Sequence, residues 1–155
     1  MKAAALAFAL ALFAAPAIAA PTDADLAAQR SVVLSMDLVN RWADSVRAMK
    51  AAEARDSALK EEVGQIEGGE QEQAPSAAIA NLKAHPRVYA FFKANRLTES
   101  DAVLVGVALI DAAFAAGEKD LSAFPGVTPA QVAFVKAHDG ELHNALRGVL
   151  GPEAQ

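Results

Sequence analysis

Apolar residues recur every three or four positions in the first half of the chain, which is the spacing of one face of an α-helix. The stripe consists of Val32, Met36, Val39, Ala43 and Val46. Three pairs of opposite charge at helical spacing accompany it, namely Asp37 with Arg41, Asp44 with Arg47 and Asp56 with Lys60. Thr22 and Asp25 have the spacing of a capping box ahead of this segment. The pattern predicts one long helix from about Asp23 to about Glu62.

This periodicity stops between Gly64 and Pro75, where three glycines and three acidic residues leave almost nothing to bury. A stretch of this composition is typical of a flexible loop. The loop does not separate two domains, because the first helix has an apolar stripe that only the rest of the chain can cover. We therefore expect a single domain over residues 20–155.

Capping residues and a proline mark the helices that follow the loop. Ser76 can cap a second helix, which the pair His85-Pro86 interrupts, because the residue before a proline is pushed out of the helical region. Thr98 has the spacing of a capping box with Asp101, ahead of an apolar run that extends from residue 102 to 116. Gly117 then ends this helix as a C-cap.

The last predicted helix begins at Thr128-Pro129, an N-cap followed by a proline at the first helical position. Asp139-Gly140 lies inside its apolar pattern and predicts a bend or a split. No segment alternates apolar and polar residues over the length of a strand. These patterns predict an all-α fold of four or five helices with bundle-like packing and a long first helix.

The first 19 residues have the three parts of a secretory signal peptide. Lys2 supplies a positive charge, residues 3–15 form an apolar segment too short to span a bilayer, and Ala17-Ile18-Ala19 resembles a cleavage site. We therefore expect cleavage after Ala19 and export to the periplasm, with no membrane-spanning segment in the mature chain. The loss of Lys2 changes the formal net charge from −5 to −6.

The composition excludes several classes of function. The 14 Lys and Arg residues are interspersed with 19 Asp and Glu residues, so the chain is poorly suited to bind nucleic acid. Without cysteine it cannot form a disulfide, a thiolate nucleophile, a covalent c-type haem or an iron–sulfur cluster. It contains no catalytic motif and no motif that binds a metal. We therefore predict a protein that is not an enzyme and that needs no cofactor or metal.

Four large aromatic residues form the first candidate binding surface: Trp42, Tyr89, Phe91 and Phe92. On a helix Phe91 points about 100° away from Phe92, so the two side chains cannot both be central to the core. One interpretation is an exposed apolar patch that binds a partner or a ligand. The alternative is that the aromatic residues pack against the long first helix.

Asp111 is the second candidate, because it is the one charged residue in the most apolar helix segment, residues 103–114. A buried carboxylate at this position needs a partner such as an arginine. The alternative is that this side of the helix, which is lined by small residues, reaches solvent.

A function of a different class is that of a non-covalent b-type haem electron carrier. In a four-helix bundle, Met36 or Met49 on the first helix and His138 or His143 on the last could supply the two axial ligands. Methionine on an apolar stripe usually fills the core, however. The two histidines are also about 140° apart on a helix, so they would not share one metal.

Two segments share a threonine cap ahead of an apolar run: Leu97 to Val105 and Val127 to Val135. They resemble the L-T-x-x-Q motif that occurs twice in the Spy-like periplasmic chaperones, with Asp101 in place of glutamine in the first copy and Val127 in place of leucine in the second. That resemblance implies a dimeric, cradle-shaped chaperone. Residues 97–113 and 132–137 also resemble uncharacterised exported all-helical proteins of proteobacteria, which implies the fold alone.

The sequence thus favours a non-enzymatic, periplasmic binding or chaperone-like protein that buries an apolar face of its partner near the four aromatic residues. The expected partner is another envelope protein or a small apolar ligand, and a homodimer is left open. The haem carrier is the alternative, and a purely structural role in the cell envelope is a third hypothesis.

Overall fold

The computed structural model describes residues 21–67 and 74–149. Within these ranges the chain forms eight helices: α1 (Asp23–Arg30), α2 (Met36–Glu53), α3 (Ser57–Glu67), α4 (Pro75–Ala84), α5 (Pro86–Ala94), α6 (Glu99–Ala115), α7 (Pro129–Ala137) and α8 (Asp139–Ala145). Neither range contains a strand, so the predicted all-α class is confirmed for this part of the chain, whereas the predicted number of four or five helices is too low. The predicted signal peptide, the centre of the predicted acidic loop and the residues from 150 onward lie outside the described residues.

The single long helix predicted over residues 23–62 is wrong, because this segment forms α1, α2 and half of α3. Ser35 caps α2, and its hydroxyl accepts the backbone N–H of Leu38 at 3.3 Å. Asp56 performs the same role for α3, with a carboxylate oxygen that accepts the N–H of Leu59 at 3.0 Å. Each break therefore lies where a short polar side chain satisfies the open N–H groups of a new helix.

The charge pairs predicted for the long helix agree with the structure in two cases of three. Asp37 pairs with Arg41 at 2.9 Å and Asp44 pairs with Arg47 at 2.5 Å. The predicted pairing of Asp56 with Lys60 is wrong, because the cap of α3 turns the Asp56 carboxylate towards Arg87 of α5, 2.5 Å away.

The boundaries of the later helices follow the predicted signals closely. His85-Pro86 separates α4 from α5, and the capping boxes that begin at Thr98 and Thr128 start α6 and α7. His138 separates α7 from α8, which confirms the predicted split near Asp139-Gly140. Three predicted positions are wrong. Helix α4 begins at Pro75 without a side-chain cap from Ser76, and α3 continues to Glu67, into the segment predicted as loop. The C-cap of α6 is Ala116, one residue before the predicted Gly117.

Helix α6 lies at the centre of the fold, since ten of its 17 residues are buried and it packs against α1, α2, α4, α5 and α7. Trp42 of α2 is fixed against this helix, where its indole Nε1 donates to the carbonyl oxygen of Ala102 at 2.8 Å. In the part of the chain that the structure describes, no helix combines the length and apolar character needed to cross a membrane.

Candidate functional site

The four aromatic residues do not form one surface. Trp42 and Phe92 are only 3% and 1% exposed, so they belong to the core, as the packing alternative predicts. Tyr89 and Phe91 are partly exposed and pack against the edge of that core. The hydroxyl of Tyr89 donates to the carbonyl oxygen of Leu97 at 3.2 Å. Of the four aromatic residues, a partner could therefore contact only Tyr89 and Phe91.

Asp111 is partly buried, and its partner is a glutamine rather than the arginine given as an example. The Nε2 atom of Gln29, on α1, donates to Asp111 Oδ2 at 2.7 Å. Burial raises the pKa of Asp111, and the hydrogen bond from Gln29 offsets only part of that rise. The second candidate is thus a carboxylate that α6 presents to α1.

The short helix α1 buries only polar side chains, whereas the long helices α2 and α6 bury mainly apolar ones. Its buried residues are Asp25 and Gln29, which are 4% and 3% exposed. Asp25 Oδ2 accepts the backbone N–H of Thr22 at 2.9 Å and its hydroxyl at 2.7 Å, while Oδ1 accepts the N–H of Ser76 on α4 at 2.9 Å. Burial by itself would raise the pKa of Asp25, but these hydrogen bonds outweigh it and lower the pKa to about 2.

Gln131 of α7 joins this contact from the opposite end of α1. Its Oε1 accepts the N–H of Thr128 at 2.8 Å and so completes the capping box of α7. Its Nε2 donates to the carbonyl oxygens of Gln29 at 2.9 Å and Val32 at 3.1 Å. Because Gln131 is 2% exposed, one buried amide both starts α7 and holds the end of α1.

Gly126 provides the space in which the Gln29 amide lies. A Cβ atom at this position would be 2.1 Å from Gln29 Oε1 and 2.5 Å from its Cδ, so any larger residue would displace the amide. We call the set Asp25, Gln29, Asp111, Gly126 and Gln131 the polar junction. It offers carboxylate and amide groups, the donors and acceptors of hydrogen-bonded recognition.

Sequence reasoning found only part of the polar junction. The sequence pattern indicates Asp111 as a candidate and Asp25 as part of a helix cap, but it does not indicate Gln29, Gly126 or Gln131 as site residues. The hydrogen bonds of Gln29 to Asp111 and of Gln131 to Gln29 join residues 82 and 102 positions apart. The capping-box spacing of Thr128 and Gln131 was a usable signal for the buried amide.

Two large apolar side chains of the described residues are exposed, and one of them lies beside this junction. Val33 is 83% exposed and follows Gln29 by four residues, and Phe114 is 46% exposed and follows Asp111 by three. Gln29 and Asp111 are hydrogen-bonded to each other. Phe114 therefore lies on the Asp111 side of α6, beside the junction, whereas Val33 lies in the non-helical segment that follows α1.

The four residues of the haem alternative lie in different surroundings. Met49 is 1% exposed inside the core, and Met36 is partly buried at the start of α2. The ring of His138 packs on Phe134 with centroids 4.7 Å apart, and its Nδ1 lies 3.0 Å from Glu141. His143 is exposed on α8. A haem ligated by Met49 would thus require the core to open.

Across residues 21–67 and 74–149, no group of three or more His, Asp or Glu side chains has an arrangement that could hold a metal ion. No family model, curated protein or solved structure matches this chain. The resemblances to exported helical proteins and to Spy-like chaperones therefore stay predictions.

Proposed function

We propose that this chain is a non-enzymatic binding protein of the periplasm, and that it holds an apolar segment of another envelope protein at the surface around Phe114. The observation that carries the proposal is the exposure of Phe114 on the most buried helix of the fold. Ten residues of α6 are buried, whereas the largest side chain of its last turn is 46% exposed. An apolar side chain of this size in contact with water favours association with another apolar surface.

The surroundings of Phe114 have the composition of a binding site. Val33, in the segment that follows α1, is a second exposed apolar side chain. Arg30 at the end of α1, which donates to the carbonyl oxygen of Pro125 at 2.5 Å, and the Asp111 carboxylate on the Phe114 side of α6 supply charged groups. An apolar centre with a polar rim is the usual anatomy of a protein interface. The acidic net charge and the predicted signal peptide support a periplasmic protein partner rather than a nucleic acid.

The proposal is tested with the mature chain and a fluorescently labelled amphipathic peptide of about 15 residues, long enough for four turns of helix. Fluorescence anisotropy measures binding to the wild type and to the Phe114→Ser and Val33→Ser variants. Val33 is 83% exposed but Phe114 only 46%, so the thermal midpoint of each variant is measured as well, and affinities are compared at a temperature at which every variant is folded. We expect the combined variant to bind the peptide at least about tenfold more weakly, as the loss of an apolar anchor at an interface implies.

Two control variants separate this surface from its alternatives. Phe91→Ser changes one of the two partly exposed aromatic residues of α5 and should leave peptide affinity unchanged. A loss of affinity in this variant would indicate that the peptide binds at Tyr89 and Phe91 instead. Ala133→Ser changes an exposed position on α7 and should have no effect. Equal affinity of the wild type and the combined Phe114 and Val33 variant would contradict the proposal.

A further inference from the structure

The attachment of α1 to the rest of the fold depends on polar contacts. Its links are the bond from Ser76 to Asp25, the bond from Gln29 to Asp111, the two bonds from Gln131 and the bond from Arg30 to Pro125. Among its apolar side chains, Leu26 and Ala28 are partly buried and the others are exposed. When such a helix leaves its site, each polar link is exchanged for hydrogen bonds to water, so each link contributes only about 0.5–1.5 kcal/mol of net stability, or about 1.5–3 kcal/mol where a charged group takes part.

Helix α2 differs from α1 in this respect. It buries five apolar side chains in the core, among them Trp42 and Met49. Removing α2 would therefore expose a large apolar area to water, which is the main barrier to unfolding in a helical fold. The two helices are neighbours in sequence but have different kinds of attachment.

The connection between the two helices has the properties of a hinge. Ser31 caps α1 with its hydroxyl, which donates to the carbonyl oxygen of Ala28 at 2.6 Å. Val33 follows in a non-helical segment and is 83% exposed, while Leu34 is 9% exposed and belongs to the core cluster. The chain thus enters the core at Leu34, while Val32 packs only against the edge of the core and its carbonyl oxygen accepts from Gln131. Rotation at Val33 would therefore move α1 and Val32 together without disturbing α2.

From this geometry we infer that α1 is a releasable strap, hinged at Val33, that covers one face of α6 and can leave it while the other helices stay folded. Residues three or four positions from Asp111 share its face of α6, and they are Val107, Ala108, Phe114 and Ala115. Release of the strap would extend the exposed apolar surface from Phe114 along this face. The inference goes beyond the proposed function, and its test requires no partner.

Hydrogen–deuterium exchange of the full mature chain, followed by mass spectrometry, tests the strap. In the wild type we expect the helical amides of α1 to exchange at least about a hundredfold faster than those at the centre of α2, because local opening needs less energy than global unfolding. Exchange of α1 and α2 at the same rate would show that α1 unfolds only with the whole domain, which would overturn the inference.

Two variants perturb the strap selectively. Gly126→Ala places a Cβ atom where the Gln29 amide lies and should accelerate exchange in α1 by about a further tenfold, with less than about a twofold change in α2. It should also increase binding of an apolar fluorescent dye. Arg30→Ala removes an exposed contact and should accelerate α1 exchange by a smaller factor, which keeps the test informative if Gly126→Ala does not fold.

Gly140→Ala is the matched control, because a Cβ atom at that exposed position of α8 would have no neighbour within 4 Å. Its α1 exchange should equal that of the wild type. If Gly126→Ala accelerates α1, α2 and α6 by the same factor, the substitution has lowered global stability and α1 is not an independent strap. Peptide binding by the wild type is measured separately, so failure of the strap and failure of the proposed function are distinguishable.

Discussion

The contact between α2 and α6 provides the sharpest test of the packing described above. Gly106 lies in the middle of α6 with the six-membered ring of Trp42 directly over it. A Cβ atom at this position would be 3.0 Å from Cζ2 of Trp42 and 3.6 Å from Cε2. The substitution Gly106→Ala therefore inserts one methyl group between two helices that are already in contact.

Two opposing effects set the size of the change. Alanine in place of glycine in a helix interior gains up to about 1 kcal/mol of helix propensity. Overpacking of a tight core contact costs about 1–3 kcal/mol. Trp42 cannot move aside freely, because it is 3% exposed and its indole N–H is bonded to Ala102, one turn before Gly106 on the same helix. We therefore expect a net loss of about 1 kcal/mol, a partial cancellation of these two terms.

Urea unfolding followed by two probes measures this effect. Far-UV circular dichroism reports the helices, and the fluorescence of Trp42, the one tryptophan of the chain, reports the contact itself. Gly64→Ala is the matched control, because Gly64 lies in α3 and a Cβ atom there would have no neighbour within 4 Å. The control should gain about 0.5–1 kcal/mol, since it has the helix-propensity term without the steric one.

The comparison of the two variants tests whether the Trp42 ring limits the space at Gly106. If Gly106→Ala stabilises the protein as much as Gly64→Ala does, the Trp42 ring does not limit the space at Gly106. A loss of stability without any change in Trp42 emission would also refute the proposed cause, because the ring or its hydrogen bond must respond to the inserted methyl group.

Three further predictions concern the polar junction and the end of α8. Asp25→Asn should lower the free energy of unfolding by about 1–2 kcal/mol. Because the native pKa of Asp25 is lowered to about 2, the difference from the wild type should be complete above about pH 4 and disappear as the pH falls through about 2. A difference that does not depend on pH in urea unfolding would contradict this prediction. Asp111→Asn should raise stability at pH 7 by about 1 kcal/mol, because burial raises the pKa of Asp111 and disfavours its charged form. This gain should decrease as the pH falls through the raised pKa of the folded state and vanish by about pH 3, where the wild-type carboxyl is protonated in both the folded and unfolded states. A gain of the same size at pH 7 and at about pH 3 would exclude the charge as its cause. Arg47→Ala removes the 2.6 Å hydrogen bond from its guanidinium to the carbonyl oxygen of Ala145, the last residue of α8. The urea midpoint should therefore fall by the equivalent of about 1 kcal/mol. An unchanged midpoint would show that other contacts hold the end of α8.

The sequence predicted the second half of the fold better than the first. Helix starts at Thr98 and Thr128 and the break at His85-Pro86 depend on residues within one turn of each boundary, so local patterns suffice. The breaks after α1 and α2 contain neither glycine nor proline. Ser35 and Asp56 set these breaks, because their side chains cap α2 and α3. The sequence pattern instead places Asp56 in a charge pair on one continuous helix.

The polar junction could not be predicted from hydrophobic periodicity for a physical reason. A helix that buries leucine or valine shows its buried face in the spacing of those residues, but α1 buries Asp25 and Gln29, which the pattern assigns to solvent. Trp42 and Phe92 show the opposite case. They belong to the aromatic set that one interpretation of the sequence places at an exposed binding surface, but both side chains lie in the core. The type of a side chain alone does not decide its burial when a specific partner is available.

The chemistry of Asp111 connects the stability of the fold with the mobility of α1. A partly buried carboxylate without a positive partner disfavours its own charged form, and a neutral amide such as Gln29 offsets only part of that effect. When α1 leaves, water can solvate the Asp111 carboxylate fully. The charged form therefore recovers in the open state the solvation free energy that burial removes in the closed state. Ionised Asp111 therefore favours release of α1. Asp111→Asn should consequently slow hydrogen exchange in α1 at pH 7 while leaving the exchange of α2 nearly unchanged, and faster exchange in α1 would show that the charge holds the strap in place.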